Sequence, residues 1–350
     1  MDPRQRYETA ARLGIPDQVP CVPFLTGHFI AHYNGMVEGD YWADPVLKLK
    51  AQLAVQERWP DTMLYPGVWV DYSVAIETSA LGAQVRFPRN ASPQIEPFLK
   101  TPEQVMALEP PDPYKAGLMP KALDTLRYML DHCPKKWIDA YGYLAGAGGC
   151  LGPTDVAGLC RGYDVFAEDI YKRPEVAHRL MAIAAETCIR YLKAQEEIGG
   201  QFHRLVVYDD SIGFFSKRHF VAFSQPYIRR IFEAFPYAIK VLHCDANTTH
   251  LLDVIADTGM DVFNFDSHMD IALVKQKIGS RVCLLGNISP LGVLLEGTPE
   301  EVDAECRRLI EAAKPGGGYI LTAGSGTARG TPPENIDAMI KACEKYGRYE

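Results

Sequence analysis

Between residues 238 and 326 the chain repeats one pattern four times: a short apolar run, a group of polar residues directly after it, then a stretch with helical spacing. AIKVL runs into His243, Cys244 and Asp245, and VFNF runs into Asp266 and His268. VCLL runs into Gly286, Asn287, Ile288 and Ser289, and YILT runs into Gly324, Ser325 and Gly326. Apolar runs of this length flanked by helical patterns predict parallel strands joined by crossover helices. In a closed barrel of such units the C-terminal strand ends form the active-site face, so polar side chains placed there repeatedly point to chemistry.

Four more segments complete the count. Residues 19–25 lead to Thr26, Gly27 and His28; residues 62–65 precede Pro66 and Gly67; residues 137–143 lead into the small-residue stretch 145–152. The fourth, RLVVY at residues 204–208, ends on Asp209 and Asp210. The expectation is a single (β/α)8 TIM barrel over residues 1–350 with N-terminal helical decoration, including a helix over residues 44–58 capped by Asp44 and Pro45. Proline-rich residues 85–121 are read as wrapping the barrel, and two helices as filling residues 155–197. An open doubly wound sheet is the competitor, but Gly146, Gly148 and Gly149 lack G-x-G-x-x-G spacing and read as a tight connection near the barrel mouth.

Composition closes other routes. The 350 residues carry a formal net charge of -8 and no block of five or more like charges, which argues against nucleic-acid or anionic-membrane partners. The charged N-terminus lacks an apolar signal region, no apolar run is long enough to span a bilayer, and the nine cysteines form no C-x-x-C pair. A cytoplasmic protein with reduced thiols, monomeric or homodimeric, is expected.

The phrases HCDANTTHLLDVIADTGMDVFNFDSHMDI, LLGNISPLGVLLEGTPEEV, GGGYIL and TPPENIDAMIKACEKYG, in this order, resemble the C-terminal half of the uroporphyrinogen decarboxylase family. Weaker echoes lie in LGPTDVAGLCRGYDVFAEDIYKRPE and YDDSIGFFSKRHFVAFSQPYIRRIF. That family holds haem-pathway decarboxylases and a large branch of corrinoid-linked methyltransferases. The methyltransferase branch is known for a zinc site of pattern His-x-Cys with a second Cys after the last strand. Matched to that pattern, His243 keeps the histidine, Asp245 stands at the first cysteine, and Ser325 stands at the second. Loss of both thiolates favours a harder metal or a more open, Lewis-acidic zinc, held by His243 and Asp245 and needing a further protein donor. Cys244 could replace the lost thiolate only where the strand has already broken into a loop, because neighbours on a strand point to opposite faces.

Other candidates follow from position. Asp209 and Asp210 form a carboxylate pair for acid–base work, with helix capping as the competing role. Asp266 or His268 is a candidate to orient a ligating His243, and Asn287 to wall the pocket. His28 and His32, four residues apart in an aromatic segment, are expected along one wall, and Tyr65, Trp69, Asp71 and Tyr72 along another.

The decarboxylase branch uses arginines of its N-terminal motif to hold a carboxylate-rich porphyrinogen, and residues 25–33 contain none. The resemblance therefore implies a methyltransferase, moving a methyl group between a small substrate such as a methyl ether and a cobalamin. No D-x-H-x-x-G corrinoid motif is present, so a separate corrinoid protein is the expected partner. A metal-dependent lyase, decarboxylase or hydrolase without corrinoid is the alternative.

Overall fold

The computed structural model describes residues 1–350. A two-stranded ribbon, β1 (Val85–Arg86) and β2 (Gln94–Ile95), lies in the proline-rich segment. Six parallel strands follow in consecutive order: β3 (Ala147–Leu151), β4 (Arg204–Tyr208), β5 (Ile239–Cys244), β6 (Val262–Phe265), β7 (Cys283–Ile288) and β8 (Tyr319–Ala323).

Two extended segments near the N-terminus continue the curve. Val22 N–H donates to Leu321 O at 3.0 Å and Leu321 N–H to Pro20 O at 2.8 Å, docking residues 20–25 onto β8. Leu25 N–H donates to Tyr65 O at 3.0 Å and Tyr65 N–H to Pro23 O at 2.9 Å, adding the second segment. Between residue 65 and β3 a side chain replaces the ladder: Leu64 N–H donates to Tyr143 Oη at 2.6 Å, and that hydroxyl also lies 2.9 Å from Gln56 Oε1. The fold is an α/β barrel with an open seam between its second and third strands.

Side-chain alternation builds two cores. Val206, Ile239, Val241, Val262, Cys283, Leu285 and Ile320 face the barrel interior. Leu205, Val207, Leu242, Phe263, Leu284 and Leu321 face the surrounding helices. Period-two alternation of this kind is what a strand buried on both faces requires.

The helix at Pro45–Arg58 begins as expected, with Asp44 accepting from Val46 N–H at 2.7 Å and Leu47 N–H at 3.1 Å. Residues 155–197 hold three helices rather than two: Pro153–Arg161, Tyr163–Lys172 and Pro174–Gly199. The third strand is also displaced from residues 137–143. Lys135–Tyr141 is helical, and Trp137 and Tyr141, one turn apart, stack at 5.9 Å. The strand is the small-residue run Ala147–Leu151, so Gly148 and Gly149 lie within it, with Gly146 directly before it. A Cβ on Gly148 would stand 2.3 Å from the Phe202 ring, so glycine is what admits this packing. No helix is long and apolar enough to cross a membrane.

Candidate functional site

Alternation along β5 carries Ile239 and Val241 inward and then delivers His243 at the mouth, 5% exposed. Its register partner on β6 is Asn264, which has no exposure at all. Asn264 Nδ2 donates to Leu285 O at 2.7 Å and Ala323 O at 3.2 Å, which turns Oδ1 toward His243 Nδ1 at 2.5 Å. Nδ1 therefore carries the proton and Nε2 presents a lone pair to the mouth. Burial lowers the imidazole pKa against the opposing influence of Asn264 and Asp245, which favours the neutral ring.

Asp210 Oδ1 lies 3.6 Å from that Nε2 and accepts Asp245 N–H at 2.8 Å. Asp245 Oδ2 in turn accepts the Ser325 hydroxyl at 3.0 Å. The ligand atoms of Asp210, His243 and Asp245 all lie within 4.8 Å of one another. Burial, then Asp155 and Asp245, push the Asp210 carboxyl well above the usual carboxylate range. Cys244 faces the other way, its thiol 3.5 Å from Asp210 O, with its pKa driven up by burial.

The neighbouring carboxylate has a different task. Asp209 is fully buried and accepts Thr154 N–H at 3.2 Å and Asp155 N–H at 2.8 Å, capping the helix Pro153–Arg161 from another strand. Asp155 reciprocates, accepting Asp210 N–H at 2.9 Å and Ser211 N–H at 3.0 Å. Gly152 makes room for this: a Cβ there would stand 2.2 Å from Asp209 Cβ. Asp209 is thus a structural cap, and the expectation of a catalytic role is corrected.

A cavity of about 320 Å³ opens beside the cluster and follows the seam downward. Phe24, His28, Trp42, Trp69, Tyr72, Tyr191 and Tyr208 contribute rings to its walls, together with Asp71, Glu77, Asp210, Asp245 and Ser325. Burial pushes the Glu77 carboxyl up to about 7 and that of Asp71 up to about 6. An adjoining cleft continues from Asp245 and Ser325 to Asp266, His268 and Arg329.

Of the expected site residues, His28, Trp69, Asp71, Tyr72 and Ser325 line the main cavity, and Asp266 and His268 only the outer cleft. Three lie elsewhere. His32 is exposed on the outer face of its helix. Tyr65 packs beneath the cavity, edge-on to Phe24 at 5.0 Å, because its strand position points into the barrel core. Asn287 spends its amide on Asp266 O at 3.0 Å and Met269 O at 2.9 Å, which braces a loop. The residue that orients His243 is Asn264 rather than Asp266 or His268. Its signal was present in VFNF, where an inward-facing polar residue sits between apolar neighbours.

Comparison with known proteins fits this architecture. Residues 2–346 match the family model described as Uroporphyrinogen decarboxylase (URO-D). The uroporphyrinogen decarboxylase of Azoarcus sp. is 27% identical over 282 residues, covering 77% of this chain and 75% of that protein. The uroporphyrinogen decarboxylase of Cellvibrio japonicus is 33% identical over 190 residues, covering 53% and 52%. A methyltransferase from Methanosarcina mazei shares the fold, with a TM-score of 0.83 over 99% of both chains at 23% identity. With a matching family model over almost its whole length and a barrel mouth built as described, the chain belongs to the uroporphyrinogen decarboxylase family.

Proposed function

We propose that this protein transfers a methyl group between a small aromatic methyl ether and a corrinoid presented by a separate protein. The observation that carries this reading is the polar cluster of His243, Asp210 and Asp245 opening onto an aromatic-walled cavity of about 320 Å³. That volume is at the lower end of the roughly 300–1,000 Å³ typical of small-molecule sites and accommodates one ring. Arg204 is the one arginine among the lining residues, where a porphyrinogen would call for several.

The donor set fits a divalent ion, because His243 offers an unprotonated Nε2 with two carboxylates beside it. Such an ion, held by His243 and Asp245, would supply Lewis acidity to a substrate oxygen. The chain's own residues do the remaining work. The aromatic walls hold the ring and exclude water, and the Ser325 hydroxyl steadies Asp245. Asp210, its carboxyl pushed upward by burial and by Asp155 and Asp245, is placed to hand a proton to the oxygen that loses the methyl group.

The test supplies a reduced corrinoid protein with a panel of methoxylated aromatics and follows the corrinoid spectrum together with release of the phenol. Demethylation is expected, and His243→Ala should lower it at least about 100-fold with the thermal midpoint nearly unchanged. Absence of transfer across the panel, with metal and corrinoid both present, would overturn this reading and leave a metal-dependent lyase or hydrolase.

A further inference from the structure

The cavity floor carries a charge that the reaction above does not use. Arg204 opens β4 and is 4% exposed, and it lines the cavity with Val206 and Tyr208, which follow on the same inward face. Arg204 makes no ion pair; its guanidinium sits 5.3 Å from the Tyr7 ring centre. The buried hydroxyls of Tyr7 and Tyr65 lie within its field.

A buried arginine with a structural task looks different in this chain. Arg161 is 2% exposed, pairs with Asp169 at 2.8 Å and donates to Leu99 O at 2.7 Å. A guanidinium buried without such partners is costly unless a ligand supplies the anion, and its planar fork matches a carboxylate bidentately. No lysine and no second arginine lines the cavity, and the Glu77 carboxyl on its wall is half neutralised near pH 7.

The spacing sets the shape of the ligand. Tyr208 is in register with His243, and at roughly 3.3 Å per residue Arg204 begins about 13 Å below that level. Allowing for the reach of both side chains, the remaining length accommodates one substituted ring.

We infer that Arg204 binds a carboxylate of the substrate, so that the substrate is an aromatic methyl ether with its carboxylate across the ring from the methoxy group. This rests on the reading of the cavity as a methyl-ether site, and its test needs neither corrinoid nor metal. Calorimetry compares 4-methoxybenzoate with the neutral 4-methoxybenzamide on the full chain and on Arg204→Gln. The full chain is expected to prefer the benzoate, and Arg204→Gln to weaken benzoate binding about 10- to 100-fold while leaving the amide within about twofold. Arg204→Lys, which keeps the charge, should retain part of the preference and serves as the readout if the glutamine variant fails to fold. Equal binding of the two compounds by the full chain, parallel loss of both in Arg204→Gln, or no binding of the benzoate would overturn the assignment. A clear benzoate preference with no methyl transfer would refute the proposed reaction and leave the Arg204 site standing.

Discussion

The two halves of this barrel are held together by different means. From β3 to β8 the strands form an unbroken parallel ladder, and the residues meeting at the mouth there are placed by backbone register: His243 beside Asn264, Tyr208 beside His243. The N-terminal half contributes two extended segments joined by isolated bridges, and Tyr143 spans the gap to β3 through its hydroxyl. The half with the continuous ladder thus holds the proposed ligand set, which needs fixed geometry. The half with fewer backbone bonds leaves the opening into which the cavity extends.

Neighbouring carboxylates give the sharpest way to break that comparison. Asp210→Asn should lower methyl transfer about 100-fold while leaving the unfolding free energy within about 1 kcal/mol. Asp209→Ala should do the reverse in kind: it leaves two buried helix N–H groups unsatisfied and is expected to cost about 3 kcal/mol, read from denaturant unfolding. Equal stability of the two variants would show that Asp209 is not the cap described.

Tyr143→Phe probes the seam. It removes the hydroxyl that receives Leu64 N–H and meets Gln56, with an expected loss of about 1–2 kcal/mol. Hydrogen exchange should rise selectively around residues 62–66. A uniform rise across β3 to β8 would mean that the two halves are not distinct in stability.

The smallest effect is at the lower rim, where His203 Nε2 lies 3.1 Å from Gly142 O. Burial, then the charges of Arg204 and Arg4, lower its pKa to about 4. The folded chain thus resists protonation that the unfolded chain accepts near 6.5. Stability should be level above pH 6.5 and fall as pH drops from 6.5 toward 4, by about 1 kcal/mol after allowance for partial exposure. His203→Gln should flatten that part of the profile, and an unchanged slope would assign the acid sensitivity to other groups.

How far the sequence reaches differs within the ladder itself. The apolar runs of β4, β5, β6, β7 and β8 are continuous and end in polar groups, so their positions agree with the structure to within a residue or two at the start. β3 escaped that reading because Ala147–Leu151 has almost no apolar side chain to signal a strand, while Trp137 and Tyr141 look like one. Matching of His243, Asp245 and Ser325 to family positions anticipated residues that do converge, through the Ser325 bond to Asp245. Asn264 was readable from alternation alone.

The sequence by itself determined the barrel and its polar mouth, because period-two burial and the placement of polar residues at strand ends are local properties of the chain. Tertiary structure decided which of two adjacent aspartates faces the site and which caps a distant helix. It also left Arg204 without a carboxylate and opened the seam into a cavity. Each of these depends on which group from elsewhere in the chain arrives at a given side chain, and hydrogen-bond partners separated by tens of residues are set by packing rather than by any local pattern.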